Sequence, residues 1–139
     1  MSKLVGEKMA GQDCSWDPEL KIIGLRLSNI TEPEDYKGFG AFQADPQARK
    51  WNLWGYIDAR DAAQAVRRAL EVKIKGAEVF IIANVDTVMA ASDEELLGAV
   101  FPQVAVKRRL GRNETLLAID RARRLLGFEP EHSWRTKSA

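Results

Sequence analysis

Two short apolar segments, at residues 21–27 and 78–84, constrain the fold of this chain more than any other feature. Each is almost continuously apolar, which favours a strand covered on both faces, as in the parallel sheets of α/β proteins. Residues 62–72, which lie between them, carry an alanine-rich stripe at helical spacing and predict a helix that sits close to a sheet. This alternation of strand and helix predicts an α/β fold with parallel strands.

Local signals predict further helices. Residues 2–12 are predicted to form a helix, and the following Trp16-Asp17-Pro18 sequence breaks it, because a residue before proline avoids the helical region. Ser92 and Glu95 have the spacing of a capping box and predict a helix that begins beside them. Gly127 is predicted to end the last helix of the chain.

The segment between the first strand and the alanine-rich helix is less regular. Residues 29–52 hold few periodic positions and are predicted to form a long loop, with room for one turn of helix. Residues 53–57 predict a short strand, and both Asp58 and Asp61 are candidate N-caps for the helix at 62–72. Only two or three strands are thus visible, and so small a parallel sheet leaves its edges open. We therefore expect the chain to be part of something larger, or to oligomerise.

Composition narrows the class of protein. The chain has 139 residues, 45% hydrophobic and 29% charged, which is typical of one soluble globular domain over residues 1–139. Its formal net charge of +1 gives no global argument for a nucleic-acid or membrane partner. A single cysteine, Cys14, and a single histidine, His132, argue against an internal disulfide and a zinc site, so no metal is expected. We expect a cytoplasmic protein.

Five segments carry a pattern in a fixed order. They are Lys3 with Gly6-Glu7, Arg26 with Asn29 and Pro33, the segment 56–65, the strand 79–84 that ends at an asparagine, and the segment 119–130. Together they cover roughly residues 2–134 and resemble the C-terminal half of an extended short-chain dehydrogenase/reductase, the NAD-dependent epimerase/dehydratase family. The resemblance implies a partial Rossmann-like parallel sheet with flanking helices and a small substrate-binding subdomain.

The resemblance also implies a function. The family uses NAD or NADP, and Lys3 matches the lysine of its catalytic Tyr-x-x-x-Lys motif. The short segment between Asn29 and Tyr56 favours a sugar or sugar acid over a nucleotide sugar as the substrate. The candidate substrate-binding residues are Asn29, Arg26 and Trp54. Each also has a structural interpretation: Asn29 caps a turn, Arg26 forms a structural ion pair, and Trp54 packs the loop onto the sheet.

Two parts of the family pattern are not found in the chain. The catalytic tyrosine would stand two positions before Met1, and the Gly-rich turn that binds pyrophosphate belongs to an earlier strand and helix. Gly38-Phe39-Gly40 is the only Gly-x-Gly sequence, and no strand is predicted before it. We therefore expect a truncated oxidoreductase or epimerase, catalytically inactive by itself, that binds no cofactor; whether it is an enzyme is left open.

The alternative hypothesis is a non-catalytic oligomerising or binding module that reuses this half-fold. Family dimers commonly use the helices that correspond to residues 2–12 and 62–72, so a homo-oligomer through these helices is expected. A third hypothesis is complementation by a separate chain that carries the N-terminal half.

Overall fold

The structure is a computed structural model that describes residues 2–136, and it has a mixed α/β architecture. The helices are α1 (Ser2–Trp16), α2 (Ala59–Glu71), α3 (Asp93–Val100) and α4 (Asp120–Leu126). The strands are β1 (Lys21–Leu27), β2 (Ile30–Thr31), β3 (Ile57–Asp58) and β4 (Gly76–Ile82). Two 3-10 helices, Asp35–Phe42 and Pro46–Asn52, lie between β2 and β3.

The central sheet consists of β1 and β4, which pair in parallel from Lys21 opposite Gly76 to Leu27 opposite Ile82. The short strands β2 and β3 form a second parallel pair beyond the end of β1. Helix α1 packs against one face of the central sheet, and α2 and α4 pack against the sheet from the other side. The predicted parallel, partly Rossmann-like sheet with flanking helices is therefore confirmed.

The buried apolar side chains form two clusters. The first lies between the central sheet and the helices α2 and α4, and consists of Ile57, Ala62, Ala65, Phe80, Ile82, Ala122, Leu126 and Phe128. The second lies beyond the carboxyl end of the sheet, and consists of Phe39, Trp54, Tyr56, Val88, Met89 and Leu96. The second cluster fixes the two 3-10 helices against the body of the fold.

Several predicted elements have different bounds in the structure. The segment 29–52 is not a simple loop, since two 3-10 helices fill most of it. The predicted strand at 53–57 is reduced to Ile57–Asp58, because Leu53 and Trp54 adopt left-handed φ angles of 52° and 56° that a strand does not contain. Helix α1 continues past residue 12 to Trp16, where the predicted break occurs.

Of the two candidate caps, Asp58 begins helix α2 and Asp61 does not. The Asp58 carboxylate accepts a hydrogen bond from the Arg60 backbone N–H, which makes it the N-cap. Asp61 lies in the first turn and is buried, where its carboxylate accepts from the His132 backbone N–H at 2.9 Å and contacts His132 Nδ1 at 2.8 Å. Asp61 therefore anchors the C-terminal segment. The capping box of Ser92 and Glu95 is confirmed.

None of the helices within residues 2–136 is long and apolar enough to cross a membrane.

Candidate functional site

Parallel α/β sheets bind their ligands outside the carboxyl ends of their strands. At that end of β1, the chain passes through Ser28 and Asn29, and the turn after the second 3-10 helix lies directly against them. Gly55 permits this close approach, since a Cβ added there would lie 3.1 Å from Ser28 Oγ and 2.6 Å from Leu117 Cδ1. We call Ser28, Asn29, Arg49, Asn52 and Gly55 the Gly55 cluster.

Hydrogen bonds to one carbonyl hold the Gly55 cluster together. Asn52 Nδ2 donates to the Gly55 carbonyl at 3.0 Å and to Asn29 Oδ1 at 3.3 Å. Arg49 Nη2 donates to the same Gly55 carbonyl at 3.3 Å. Two residues of the second 3-10 helix therefore converge on one backbone carbonyl, and Asn52 also links this helix to Asn29 after β1.

Three buried polar atoms of the Gly55 cluster have no hydrogen-bond partner within residues 2–136. They are Ser28 Oγ, Arg49 Nε and Asn52 Oδ1. Buried polar atoms are nearly always hydrogen-bonded, and an exception requires an explanation. These three atoms belong to three different residues of the cluster, and each retains an unused capacity to form a hydrogen bond.

Arg49 supplies the positive charge of the Gly55 cluster. Its guanidinium is half-buried and lies over the Phe42 ring, 4.6 Å from the ring centroid. Burial lowers the pKa of Arg49, and none of the ion pairs within the described residues includes it. A partly desolvated cation without a carboxylate partner favours an anionic ligand group, which an arginine binds through two parallel hydrogen bonds.

A strained turn sets the position of Asn52. Leu53 and Trp54 are the two non-glycine residues with positive φ among residues 2–136. Left-handed backbone at such residues costs free energy and is often found at functional sites. The Trp54 side chain secures the turn, because it is fully buried, its indole N–H donates to the Pro46 carbonyl at 2.7 Å, and its ring meets Phe101 edge-on.

Of the four predicted site residues, Asn29 belongs to the Gly55 cluster, where its side-chain oxygen accepts a hydrogen bond from Asn52. Arg26 forms an ion pair with Glu7, in which Nε lies 2.8 Å and Nη2 2.6 Å from the two carboxylate oxygens. Lys3 is exposed in the first turn of α1 and lines a groove together with Glu7 and Arg26. The substrate-binding roles of Arg26 and Trp54 and the catalytic role of Lys3 stay predictions.

The members of the site that sequence reasoning missed are Ser28, Arg49, Asn52 and Gly55. Ser28 directly precedes Asn29 at the end of β1, so its position at the carboxyl end of a strand was a usable signal. Arg49 and Asn52 gave no such signal, because they stand in a segment without periodicity that was predicted to be a loop.

The Gly-x-Gly sequence does not form a dinucleotide cradle. Gly38 and Gly40 lie within the first 3-10 helix, and Phe39 between them is buried in the second apolar cluster. A pyrophosphate cradle requires a Gly-rich turn between a strand and the N-terminus of a helix. The glycines of residues 2–136 therefore do not fit a nicotinamide dinucleotide in the manner of that motif.

Comparison with known proteins gives one informative similarity. No protein-family model matches the chain, and no curated protein matches it either. A solved structure of RMD from Pseudomonas aeruginosa, in complex with NADPH, is similar with a TM-score of 0.56 at 16% sequence identity. The similarity covers 97% of this chain and 50% of that one, so the chain spans about half the length of the solved structure. At this identity, the similarity concerns the fold.

Proposed function

We propose that this chain is the substrate-binding half of an NAD(P)-dependent oxidoreductase of the extended short-chain dehydrogenase/reductase type, and that its substrate is a sugar acid. Two findings support the proposal that this chain is one half of the family's fold. The chain matches half of a fold that holds NADPH in RMD, and its five ordered segments resemble the C-terminal half of the family. A cofactor-binding half is then supplied by other polypeptide sequence, and this chain alone is inactive.

The observation that carries the substrate assignment is the half-buried Arg49 at the carboxyl end of β1, for which residues 2–136 supply no acidic partner. Its guanidinium is suited to a carboxylate. The hydroxyl and amide groups of Ser28, Asn29 and Asn52 are suited to the hydroxyl groups of a sugar. A neutral sugar leaves the Arg49 charge without compensation, so a sugar acid fits the cluster better.

In the complete fold, the resemblance assigns proton transfer to the family tyrosine, whose pKa is lowered by the lysine that corresponds to Lys3. A bound nicotinamide would supply the hydride donor or acceptor for the substrate carbon. The part that we assign to this chain is to hold the carboxylate and the hydroxyl groups, and so to orient the reacting carbon.

Amide chemical shifts during titration with galacturonate and with galactose test the substrate assignment. We expect the acid to shift the signals of Ser28, Asn29 and Gly55 saturably, and the neutral sugar to bind at least about tenfold more weakly. The Arg49→Gln variant is expected to lose this difference, whereas Arg67→Gln, an exposed arginine of α2, is expected to retain it. Equal affinity for the two sugars in the unmodified chain would contradict the proposal.

The reading frame upstream of residue 1 tests the assignment to a half-fold. We expect an in-frame tyrosine two codons before Met1 and, well before that, a Gly-rich turn between a strand and a helix. A stop codon immediately upstream would refute a continuous polypeptide and leave a separate chain as the source of the cofactor half.

An oligomerising module is the second candidate, and the surface of α1 favours it. Helix α1 buries none of its residues, and Leu4, Val5, Met9 and Trp16 are all exposed. Val66 and Leu70 on α2 are exposed as well. We propose a homo-oligomer through residues 2–12 and 62–72, which sedimentation velocity tests: a strictly monomeric, folded chain contradicts it.

A further inference from the structure

A groove of about 670 Å³ lies between helix α3 and the chain that follows it. One wall is formed by Glu94, Leu97 and Gly98 of α3, together with Phe101 directly after the helix. These positions have the i, i+3, i+4, i+7 spacing of a single helix face. A Cβ added at Gly98 would meet nothing within 4 Å, so this wall leaves the groove open. No residue of the Gly55 cluster lines the groove, which makes it a separate feature of the described chain.

The opposite wall of the groove is a segment with the alternation of a strand. Val104, Val106 and Arg108 line the groove, whereas the odd-numbered residues between them do not. A period of two is that of extended chain, in which successive side chains point to opposite faces. Val104 and Val106 leave 54% and 52% of their surfaces exposed. The segment 104–108 therefore presents apolar side chains to a groove that the described chain does not fill.

The backbone of this wall is unpaired. Within residues 2–136, no hydrogen bond uses a backbone N–H of residues 105–110. The single carbonyl of that range that accepts a hydrogen bond is that of Arg109, and its donor is the neighbouring Arg108 guanidinium. Free N–H and C=O groups along extended chain are a template on which another strand can pair. When a peptide adds in this way, main-chain hydrogen bonds supply affinity, and pockets for alternate side chains supply specificity.

Arginine side chains determine which charge the groove accepts. Arg108, Arg109 and Arg112 line it, and Glu94 is the single acidic residue of the described chain that does so. Arg108 pairs with Glu114, but neither Arg109 nor Arg112 takes part in an ion pair within residues 2–136. Two arginines without a carboxylate partner, beside exposed valines, favour a ligand that combines carboxylates with apolar side chains.

We propose that this groove binds an extended acidic peptide of a protein partner, which adds as a strand beside residues 104–108. Alternate apolar side chains of the peptide enter the groove next to Val104 and Val106, and its carboxylates pair with Arg109 and Arg112. The unpaired backbone favours a peptide over a small apolar anion, because a small molecule engages the side chains and leaves the main chain unpaired. The inference goes beyond the proposed function, since it concerns a partner and residues outside the Gly55 cluster.

Fluorescence anisotropy of a labelled probe peptide, Glu-Glu-Val-Thr-Val-Thr-Glu-Glu, tests the proposal. We expect saturable binding that Arg109→Gln and Arg112→Gln each weaken by about threefold or more. Arg67→Gln, at an exposed arginine of α2, is the matched control and is expected to leave the affinity unchanged. Gly98→Leu places a side chain in the groove at a helical position that favours leucine over glycine, and is expected to abolish binding. Urea denaturation shows that each variant is folded.

Amide exchange with water, followed by NMR, tests the strand pairing itself. We expect saturating peptide to slow exchange at alternate amides of residues 105–110 by about tenfold or more. Two control peptides are expected not to bind: one has lysine in place of every glutamate, and the other carries methyl groups on two adjacent peptide nitrogens, so that neither of its edges pairs. Equal binding of either control, uniform or absent protection by the probe, or a dimer in sedimentation that protects these amides without peptide would each overturn the proposal.

Discussion

At the scale of single residues, Asp93 is a buried carboxylate with a raised pKa. It has no exposed surface, and both carboxylate oxygens lack a hydrogen-bond partner within residues 2–136. Burial raises the pKa of Asp93 to about 6, with a further contribution from the nearby Glu114 carboxylate. Because the folded-state pKa lies above that of the unfolded chain, the folded state binds the proton more tightly, and stability falls as the pH rises from about 4 through 6.

Asp93→Asn should therefore stabilise the protein only where the carboxylate is ionised. A shift from 3.8 to about 6 corresponds to about 3 kcal/mol in the free energy of unfolding, gained at pH 8 and absent at pH 4. Urea denaturation of both proteins at the two pH values measures this difference. Glu94→Gln, an exposed neighbour on α3, is the control. An equal effect of Asp93→Asn on the free energy of unfolding at both pH values would contradict the raised pKa of Asp93.

A substitution at Gly55 tests whether the close packing of the Gly55 cluster contributes to stability. In Gly55→Ala, the new Cβ lies 2.6 Å from Leu117 Cδ1, which has to move, and 3.1 Å and 3.2 Å from Ser28 Oγ and the Asn52 carbonyl, so these groups have to shift slightly. We expect a loss of about 1–3 kcal/mol in thermal or urea denaturation and weaker binding of galacturonate. Gly98→Ala in α3 is the matched control, since a Cβ there meets nothing within 4 Å and favours the helix. If Gly55→Ala and Gly98→Ala had the same stability and the same affinity for galacturonate, the close approach at Gly55 would contribute to neither.

At the scale of elements, Asp58 joins the first 3-10 helix to α2. Its buried carboxylate caps α2, accepts two hydrogen bonds of 2.8 Å from the Arg60 guanidinium, and accepts another from the Tyr36 hydroxyl. Burial acts to raise the pKa of Asp58, but the hydrogen bonds from Arg60 and Tyr36 outweigh it and hold the pKa well below its usual range. The connection between these two elements therefore depends on an ionised Asp58.

Asp58→Asn should weaken that connection and remove part of the acid sensitivity of the fold. A group with a depressed folded-state pKa stabilises above its unfolded value and loses that contribution as the pH falls. We expect a loss of about 3 kcal/mol at pH 7 in urea denaturation, and a smaller loss at pH 3. Asp120→Asn, an exposed acid in the first turn of α4, is the control. A loss that does not change with pH would contradict this account.

Elements with an apolar run, a helical stripe or a capping signal could be predicted from the sequence, and the others could not. The apolar run of β1 fixed its bounds at Lys21–Leu27, and the alanine stripe identified α2 although not its first turn. The 3-10 helices and the left-handed turn at Leu53 and Trp54 have no periodic signal. Asn29 was found through the family resemblance, which has an asparagine at the end of this strand, whereas Arg49 and Asn52 stand in a 3-10 helix that was not predicted.

At the scale of the whole molecule, the described residues form the Gly55 cluster, Arg121 covers the outer edge of β4, and the glycines do not fit a dinucleotide cradle. This chain is similar in fold to 50% of the RMD chain. If the two halves divide substrate and cofactor between them, binding of the nicotinamide dinucleotide requires the other half. The isolated chain then has the capacity to bind a sugar acid without binding NADH or NADPH.

Titration of the chain with NADH and NADPH tests whether the cofactor is bound only by the other half. With excitation of the four tryptophans and detection of energy transfer to the nicotinamide, we expect no saturable signal up to millimolar cofactor. A galacturonate titration of the same sample is the positive control, because it shows that the protein is folded and able to bind a ligand. Saturable binding in the micromolar range would mean that other residues, or an oligomer interface, build a dinucleotide site. The proposed division between the two halves would then be wrong, and sugar acids would have to be screened as substrates of this chain itself.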